Sequence, residues 1–354
     1  MNTDEKYMSM AVELARRASG MTYPNPMVGA VIVCRDHVIG RGYHHKSGLP
    51  HAEVNAIASV NDKSQLAEST MYVTLEPCSH YGKTPPCADL IISSGIPEVV
   101  IGMQDPFGKV NGRGIDKLRR AGVKVTVGIL EDKCRRLNRR FITYHTCKRP
   151  YIILKWAQSQ DGYLDRLRTD ASVPPAAITG LPARKLLHRW RSAEQAIMAG
   201  TNTAVMDNPR LDARLANGGR NPVRVVPDRT GRIPSCNHLK DGSIPTIIFT
   251  GRDAQRDGQA EYVDTDFTGD VLSFILDELY SRGIQSLIVE GGTKLLASFI
   301  STGLWDEARI FTGTDTFGSG IAAPILSGIR VRSGRAGNDR YEVIENEQAP
   351  WKTK

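Results

Sequence analysis

The 354-residue sequence predicts an α/β protein of two domains, and three observations lead to this prediction. The chain is longer than a typical single domain. Short apolar runs of strand length alternate with segments whose apolar residues recur at helical spacing. This alternation restarts after Lys148-Arg149-Pro150. We therefore expect one domain over residues 1–147 and another over 148–354, and in the first we expect helices on both faces of a sheet, which makes three layers.

The elements of the first domain follow from its apolar spacing and its turn residues. A helix is predicted over residues 4–19, and Tyr23-Pro24-Asn25-Pro26 ends it. Residues 28–33 and 38–40 form a predicted hairpin, and the helix predicted over 51–59 carries His51 and Glu53 in its first turn. A strand over 71–75 leads to Glu76-Pro77-Cys78. The remaining elements are a helix at 87–94, a strand at 98–103, a helix at 113–121, a strand at 123–127 and one continuous helix at 131–144.

The second domain is predicted to contain a mixed sheet. Its first strand, residues 151–156, is followed by a polar loop over 159–175, a helix over 181–191 and a buried strand over 196–200. Glu290-Gly291-Gly292 joins a strand to a helix, where backbone N–H groups can approach a phosphate, although such a Gly-Gly pair is more often only a tight turn. The later elements are strands at 223–226, 246–249 and 285–289, helices at 271–282 and from Gly292 to about 301, and strands at 309–311 and 341–344.

Composition and charge narrow the class of protein. The hydrophobic content of 40% and the charged content of 24% are ordinary for a globular protein, and six cysteines in so long a chain do not indicate a disulfide scaffold. No apolar run is long enough to span a membrane and the N-terminus lacks a signal-peptide pattern, so we expect a cytoplasmic protein that binds no membrane. The net charge of +8 favours an anionic partner. Because no long basic run stands out, we expect phosphorylated small molecules rather than nucleic acid, and we expect a homo-oligomer.

His51, Cys78 and Cys87 carry the predicted chemistry. Zinc favours one imidazole and two thiolates as ligands, and three protein ligands leave the fourth tetrahedral position open to a water whose pKa would fall to about 7. Glu53, two residues after His51, is placed to accept and return the protons of that water without binding the metal. His51 alone would indicate an ordinary histidine, and Cys78 alone a small buried hydrophobe. Together with Glu53 and Cys87 they predict a catalytic zinc site.

The motif is that of the zinc-dependent nucleobase deaminases, with a longer second half. Those enzymes combine H-x-E with P-C-x-x-C, whereas residues 79–86 separate Cys78 from Cys87 here. The run HAEVNA at 51–56, together with TLEPCSHYGKTPPC at 74–87, closely resembles the bacterial RibD family of riboflavin biosynthesis, and the resemblance covers essentially the whole chain. It implies a cytidine-deaminase-like N-terminal domain with three layers, a dihydrofolate-reductase-like C-terminal domain, and Zn²⁺ and NADPH as cofactors.

The resemblance also implies two reactions and the residues that serve them. The first domain would deaminate 2,5-diamino-6-(5-phosphoribosylamino)pyrimidin-4-one by hydrolysis, and the second would reduce the ribosyl group of the product to ribityl. Asn25 and His44 would line the pyrimidine pocket. His80 and Lys83 would hold the substrate, with Lys83 near its phosphate. In the second domain, Glu290 would contact the substrate, and Arg191, Leu211 and Arg214 would surround its phosphate. The residues implied for binding NADPH are Ala157, Thr203, Asp207, Gly292, Thr293, Lys294, Leu295, Leu296, Ala297 and Ser298.

The second domain departs from the family pattern at a few positions. Many members have Ser-x-Trp-Ile-Thr before the reductase helix, where this chain has Pro175-Ala176-Ala177-Ile178-Thr179, and Tyr163 and Asn202 also differ. One alternative is therefore a deaminase whose C-terminal domain is not catalytic. A nucleic-acid deaminase is a second alternative, which the lack of a basic and aromatic stripe disfavours. A non-catalytic zinc module is a third, which three ligands plus a glutamate disfavour.

Overall fold

The computed structural model describes residues 2–79, 85–106 and 112–352. The chain forms two compact units: one runs to Lys148 and includes the segment from Pro350, and the other is Arg149–Ala349. Both units are α/β, as the alternating apolar patterns predict. Of the helices that the structure describes, none combines the length and the apolar character needed to cross a membrane.

A five-stranded sheet forms the centre of the first unit. Its strands are β1 (Gly29–Cys34), β2 (His37–Tyr43), β3 (Ser69–Val73), β4 (Glu98–Ile101) and β5 (Lys124–Val127), and they lie in the order β2-β1-β3-β4-β5. β1 is antiparallel to β2 and β3, whereas β3, β4 and β5 are parallel. The helices of this unit are α1 (Thr3–Arg16), α2 (Ala52–Ala58), α3 (Cys87–Ser93), α4 (Arg113–Arg120), α5 (Glu131–Leu137) and α6 (Arg139–Cys147).

Helices cover both faces of this sheet, so the three-layer prediction is confirmed. Met71 and Val73 of β3 join an apolar cluster with buried side chains of α2, α3 and α4. The intervening Tyr72 points to the opposite face, because side chains alternate along a strand, and its ring lies 5.2 Å from that of Tyr7 in α1. α1 also packs against Gly29, where an added Cβ would lie 2.0 Å from the carbonyl oxygen of Ala11.

The single helix predicted over residues 131–144 is wrong, because the structure has two helices there. α5 ends at Leu137 and α6 begins at Arg139, with Asn138 between them at φ −102° and ψ 19°. The amide of Asn138 hydrogen-bonds to the backbone of Met27, accepting from its N–H over 2.8 Å and donating to its carbonyl over 3.0 Å. An asparagine amide commonly competes with helical backbone bonding in this way. The helical spacing of apolar residues continues across Asn138, so the sequence pattern does not show that the helix breaks there.

The C-terminal segment packs onto the helices of the first unit. Arg135 donates to the carbonyl oxygen of Trp351 over 2.9 Å, and the guanidinium of Arg136 lies 5.7 Å from the Trp351 ring. The ring is buried, with 5% of the residue exposed. A chain end that contributes a large buried side chain should therefore stabilise this unit.

We expect Trp351→Ala to lower the free energy of unfolding of the first unit by about 3 kcal/mol, the usual cost of truncating a buried aromatic side chain. Chemical denaturation, followed by circular dichroism, would measure the change. Trp351→Phe is the matched control, because it keeps most of the buried ring and should cost clearly less. Equal stability of the alanine variant and the wild type would show that the segment does not contribute to this unit.

A nine-stranded mixed sheet forms the centre of the second unit. The strands of this unit are β6 (Tyr151–Gln158), β7 (Tyr163–Asp165), β8 (Ala196–Met198), β9 (Val223–Pro227), β10 (Thr246–Thr250), β11 (Glu261–Asp264), β12 (Ser286–Glu290), β13 (Glu307–Thr312), β14 (Ile321–Ala322), β15 (Ile329–Ala336) and β16 (Asp339–Glu345). The sheet order is β11-β10-β9-β8-β12-β6-β13-β16-β15, and β7 pairs separately with β14. The strands from β11 to β13 are parallel, whereas β13, β16 and β15 are antiparallel, so the mixed-sheet prediction is confirmed.

The second unit also has helices α7 (Leu181–Ala193), α8 (Thr201–Asp207), α9 (Val271–Ser281) and α10 (Thr293–Ser301). Sequence analysis does not find α8, β11, β14 or β15, and it wrongly places β7 inside a loop. These elements are short or mostly exposed: β11 has exposed ends and only a half-buried middle, and most residues of β15 are exposed. Without a buried face, they lack the apolar period that identifies an element in sequence.

Candidate functional site

Two helix starts and the segment between them bring the three predicted metal ligands together. His51 is the N-cap residue of α2, Cys87 is the first residue of α3, and Cys78 lies between β3 and α3. His51 Nδ1 lies 3.3 Å from Cys87 Sγ and 3.7 Å from Cys78 Sγ, and all three ligand atoms lie within 4.8 Å of one another. The ligand atoms of a tetrahedral zinc ion are about 3.5–3.8 Å apart at ordinary bond lengths. The donor set and its spacing therefore fit zinc.

The contacts around Cys78 favour its thiolate, which is the form that binds metal. The Cys87 thiol hydrogen-bonds to Cys78, and the Cys87 backbone N–H donates to Cys78 Sγ over 3.2 Å. These hydrogen bonds, with a further one from His51, lower the pKa of the Cys78 thiol well below its usual range, although its burial opposes the shift.

Glu53 lies in the first turn of α2 and is almost completely buried, with 3% of the residue exposed. Burial raises the pKa of its carboxyl group to about 7, and the nearby Cys78 thiolate acts in the same direction. A group that must both take up and release a proton near neutral pH works best with a pKa close to that pH. Glu53 therefore has the environment of a general acid–base, as its offset from His51 predicts.

Asn25 and His44 meet beside the ligand cluster. The Asn25 amide nitrogen lies 3.0 Å from His44 Nε2, and the His44 ring lies edge-on to that of His51 with centroids 5.4 Å apart. His44 Nδ1 lies 3.1 Å from the carbonyl oxygen of Pro50, and because a carbonyl oxygen only accepts hydrogen bonds, Nδ1 carries the hydrogen. Nε2 is then an acceptor for the Asn25 amide. The other two predicted substrate residues of this unit, His80 and Lys83, lie outside the described residues.

Glu76 anchors the segment that carries Cys78, and sequence analysis does not predict this role. Its carboxylate accepts hydrogen bonds from the backbone N–H groups of Gly112 (2.9 Å), Gly114 (2.8 Å), Ile115 (3.3 Å) and Asp105 (3.2 Å). A Cβ on Gly114 would lie 2.0 Å from the carbonyl oxygen of Pro77. The start of α4 is thus fixed against residues 76–77, directly before the metal ligand. A glutamate immediately before Pro77-Cys78 is the signal in the sequence.

Asn138 holds the segment that carries Asn25. The two hydrogen bonds of its side-chain amide go to Met27, two residues after Asn25, and Asn138 is 2% exposed. Removing its amide leaves two half-buried backbone groups of Met27 without their partner, at up to about 1–3 kcal/mol for each group. The loop in front of β1 should then lose its fixed position relative to His44.

We expect Asn138→Ala to lower the free energy of unfolding by about 2 kcal/mol and to raise the KM of the reaction predicted for this unit, because Asn25 is less well placed. Denaturation and initial-rate kinetics would measure the two effects. Asn138→Asp keeps the acceptor for the Met27 N–H and loses the donor, so it should give a smaller loss of stability. A KM that stays at the wild-type value in Asn138→Ala would contradict this positioning role.

In the second unit, the predicted substrate residues converge at the end of β12. Arg191 donates from Nε and from a terminal nitrogen to the two carboxylate oxygens of Glu290, each over 2.8 Å, and Lys155 Nζ lies 3.7 Å from one of them. Burial raises the pKa of Glu290, but Arg191 and Lys155 together outweigh it and lower the pKa to about 2. Glu290 is therefore an ionised carboxylate held by two buried cations.

Asp212 links Arg214 to the same cluster, and Leu211 directly precedes Asp212 in the chain. Arg191 also donates to the carbonyl oxygen of Asp212 over 2.9 Å, and Arg214 pairs with the Asp212 carboxylate at 2.5 Å. Leu211 is buried and has a positive φ of 45°, a conformation that non-glycine residues rarely adopt. The structure thus brings Arg191, Arg214 and Glu290 together, with Leu211 next to Asp212 in the chain, and the role of these residues in binding substrate stays a prediction.

The predicted cofactor residues lie where α8 and α10 begin side by side. The Gly292 N–H donates to Thr203 Oγ1 over 3.2 Å, and a Cβ on Gly291 would lie 3.3 Å from the backbone nitrogen of Gly200. Gly200 and Gly292 are the N-cap residues of the two helices. The free backbone N–H groups at the N-termini of two helices therefore lie close together, an arrangement that can bind a phosphate group.

The other predicted cofactor residues have different surroundings. Leu296 is fully buried in the apolar core of the unit, whereas Thr293 and Ser298 hydrogen-bond to backbone oxygens. Asp207 accepts from Arg168 over 2.5 Å, and Arg168 also pairs with Asp165 at 2.8 Å. Arg168 thereby ties the polar loop to the end of α8, which sequence analysis does not predict. Ala157 in β6 is half-buried, and Lys294, Leu295 and Ala297 lie in α10.

Comparison with known proteins assigns both halves of the chain. The RibD C-terminal domain family matches residues 150–345, and the zinc-binding region of cytidine and deoxycytidylate deaminases matches residues 1–103. The riboflavin biosynthesis protein RibD of Aquifex aeolicus (strain VF5) is 40% identical over 331 residues, covering 92% of this chain and 91% of that protein. The RibD of Bacillus amyloliquefaciens is 39% identical and covers 92% of this chain and 88% of its own length.

Solved structures give the same result. A diaminohydroxyphosphoribosylaminopyrimidine deaminase/5-amino-6-(5-phosphoribosylamino)uracil reductase from Thermotoga maritima has a TM-score of 0.87 at 36% identity, covering 97% of this chain and 98% of its own. The RibD of Acinetobacter baumannii has a TM-score of 0.85 at 30% identity, with the same coverage.

The fold and the sites define a class of enzyme, a metal-dependent deaminase joined in one chain to a nucleotide-dependent reductase. Within that class, the chain belongs to the RibD family, the bifunctional deaminases and reductases of riboflavin biosynthesis. Both domains are present, and zinc and NADPH are their cofactors. The family resemblance and the two-domain α/β fold predicted from the sequence are thus confirmed.

Proposed function

We propose that the first unit deaminates 2,5-diamino-6-(5-phosphoribosylamino)pyrimidin-4-one and that the second reduces the ribosyl group of the resulting uracil compound with NADPH. The observation that carries this proposal is the buried Glu53 carboxyl beside a three-ligand metal cluster that leaves one coordination position open. The name of the Thermotoga maritima relative contains both activities, which supports the same assignment here.

In the deaminase, Glu53 carries the protons. His51, Cys78 and Cys87 would hold the zinc ion, which when bound would supply a nucleophilic water at neutral pH by lowering the pKa of that water to about 7. Glu53 accepts the first proton of the water and passes it to the ring nitrogen. It then takes the proton of the hydroxyl group added to the ring carbon and passes it to the leaving amine, so that the carbonyl forms as ammonia leaves. The amide nitrogen of Asn25 donates a hydrogen bond to His44. The amide oxygen of Asn25 is therefore available to accept a hydrogen bond from the pyrimidine.

In the reductase, charged groups hold the substrate while NADPH supplies a hydride. Glu290 is ionised and accepts hydrogen bonds from hydroxyl groups of the sugar, and Lys155 and Arg191 fix its orientation. Arg191 and Arg214 lie near the substrate phosphate, in the region that also contains Leu211. The N-termini of α8 and α10, with Thr203 and Gly292 in contact, face the phosphates of the cofactor.

We assign the deaminase domain to residues 1–147 and the reductase domain to 148–354, with the segment from Pro350 packed on the deaminase unit. We further propose a cytoplasmic homo-oligomer that binds no nucleic acid. A deaminase with a non-catalytic second domain is the competing function, because Pro175 and Ala177 replace the serine and tryptophan that many relatives have.

Metal removal tests the deaminase. The protein is stripped with a chelator, and ammonia release from the diaminopyrimidinone is measured before and after Zn²⁺ is restored. We expect activity to disappear and then return. Cys78→Ser should neither bind one equivalent of zinc nor release ammonia, whereas the control Cys147→Ser changes an exposed cysteine outside the cluster and should keep both. Equal ammonia release from the stripped and the reloaded protein would contradict the proposal.

A further inference from the structure

The two-stranded sheet of the second unit is attached to the start of α10. Its strands are β7 and β14, and Ala322 of β14 pairs with Tyr163 of β7. Thr293, the first residue of α10, donates from its hydroxyl group to the carbonyl oxygen of Ala322 over 2.8 Å. The backbone N–H of Ala323 donates to the carbonyl oxygen of Gly162 over 2.9 Å. The small sheet is thus joined to the helix that carries most of the predicted cofactor residues.

Arg168 attaches the loop after β7, residues 166–176, to α8. Its Nε lies 2.8 Å from the carboxylate of Asp165, and its two terminal nitrogens donate to the carbonyl oxygen of Val173 over 3.1 Å and to the carboxylate of Asp207 over 2.5 Å. Asp165 is the last residue of β7, Val173 lies within the loop, and Asp207 is the last residue of α8. One guanidinium group, whose donors have a fixed fork geometry, therefore joins three segments of the chain.

Asp165 holds the far end of the same loop. One of its carboxylate oxygens accepts from the backbone N–H of Ala176 over 2.9 Å and from that of Arg166 over 2.9 Å. Ala176 lies in the run at 175–179 that replaces the serine and tryptophan of many relatives. This altered run is therefore held by Asp165, and Arg168 in turn joins Asp165 to α8.

The two attachments lie on either side of the place where the predicted cofactor residues converge. Thr203 and Asp207 are four residues apart in α8, so they lie on the same face of that helix. Thr203 Oγ1 accepts from the Gly292 N–H over 3.2 Å. Asp207 is thus one turn along α8 from the contact with the start of α10. The small sheet reaches this region through Thr293 at one end and through Arg168 at the other.

A loop ion pair is ordinarily only structural and contributes little when it is exposed. Arg168 differs, because 10% of its side chain is exposed and it lies between two carboxylates that would otherwise face each other. Burial and the nearby Asp165 carboxylate raise the pKa of Asp207, and Arg168 opposes this shift. Without Arg168, repulsion between Asp165 and Asp207 would separate the loop from α8. Since both carboxylates already neutralise its charge, Arg168 is not a phosphate donor.

We propose that Arg168 is a positioning residue of the reductase, which holds the 166–176 loop against Asp207 so that this loop forms one wall of the NADPH site. The inference rests on the proposed function, because it concerns the cofactor of the second unit. Arg168 thereby fixes a segment in which the serine and tryptophan of many relatives are missing. A wall of this kind binds the cofactor equally in the ground state and the transition state, so its loss appears in the KM and Kd for NADPH and leaves kcat nearly unchanged.

The test measures NADPH binding directly, by titration calorimetry of the full-length protein, and NADPH oxidation with the deaminated phosphoribosyl substrate. For Arg168→Gln we expect the Kd and KM for NADPH to rise about tenfold, with kcat changed less than about twofold. The matched control is Arg166→Gln, which makes the same charge change in the same loop. Arg166 is exposed, and its guanidinium lies 4.9 Å from the Phe317 ring, so this variant should keep the wild-type Kd.

Two further variants separate the position of the loop from the stability of the unit. Arg168→Lys keeps a cation between the carboxylates but has one nitrogen in place of three, so its Kd for NADPH should lie between those of the wild type and Arg168→Gln. Arg168→Gln combined with Asp165→Asn removes the repulsion between the carboxylates. This double variant should recover stability in a denaturation experiment and still bind NADPH weakly, because nothing joins the loop to α8.

The inference is overturned if Arg168→Gln binds NADPH with the wild-type Kd, or if Arg166→Gln weakens binding as much as Arg168→Gln does. Recovery of NADPH binding together with stability in the double variant would also overturn it, because Arg168 would then act only through folding. A wild type that binds NADPH, with the expected differences among the variants, but oxidises none would support the inference and refute only the reductase activity. A wild type that binds no NADPH would refute both.

Discussion

Glu53→Gln is expected to lower the kcat of deamination about 10³-fold while zinc stays bound. The amide keeps the shape of the side chain but has no proton to exchange, and a positioned general acid–base typically contributes about 10²–10⁴-fold to a rate. His51, Cys78 and Cys87 are unchanged, so the metal content should equal that of the wild type. Initial rates of ammonia release and metal analysis of the same samples would measure both quantities.

The chain contains its own control for this variant. NADPH oxidation with the deaminated substrate depends on the second unit, so Glu53→Gln should leave it unchanged. Glu68→Gln is a second control, because Glu68 is an exposed carboxylate of the first unit that pairs with Arg35. This variant should keep both activities, since surface ion pairs contribute little to stability. A Glu53→Gln protein with zinc bound and near-wild-type ammonia release would show that another group carries the protons.

Glu290→Gln should have the largest effect on the second unit. The variant removes the carboxylate that Arg191 and Lys155 share, and breaking a buried ion pair by removing one partner costs about 3–5 kcal/mol. If Glu290 also holds the sugar of the substrate, NADPH oxidation should fall at least about 10²-fold, because a buried charged hydrogen bond is lost in the transition state. Denaturation and the rate of NADPH oxidation measure the two effects.

A double variant separates the structural effect from the functional one. Glu290→Gln combined with Arg191→Met removes both charges of the pair, and this should recover part of the lost stability. Burial lowers the pKa of Lys155, so the loss of Glu290 favours release of the Lys155 proton. The activity should not recover, since the group that contacts the sugar is still missing. Recovery of NADPH oxidation together with stability would show that Glu290 acts only through folding.

The metal centre was predictable from sequence because its chemistry is local. His51 and Glu53 are two residues apart at a helix start, and Cys87 starts the next helix, so strand and helix patterns alone place the ligands at one edge of the sheet. The structure brings His51, Cys78 and Cys87 together as predicted. Long buried strands were also predictable, because parallel strands of a central sheet are nearly continuous apolar runs.

The supporting contacts were not predictable, because they join residues far apart in the chain. Asn138 bonds to Met27 across 111 residues, and Glu76 bonds to Gly114 across 38. Neither contact leaves a periodic pattern, and the first one breaks a helix that the periodicity predicts as continuous. The same holds for Arg168, whose ion pair with Asp207 joins a loop to α8. Local sequence patterns identify the secondary-structure elements and the motifs, whereas long-range polar contacts fix the positions of the site residues.

The central claim is that one chain catalyses both reactions, and the most direct test is NADPH oxidation by the zinc-loaded wild type given the deaminated phosphoribosyl substrate. Supplying the product of the first step isolates the second unit. We predict that NADPH absorbance falls only when this substrate is present, with the ribityl compound as the product. Ammonia release from the diaminopyrimidinone without any oxidation of NADPH would contradict the claim, and the protein would then be a deaminase with a non-catalytic second domain.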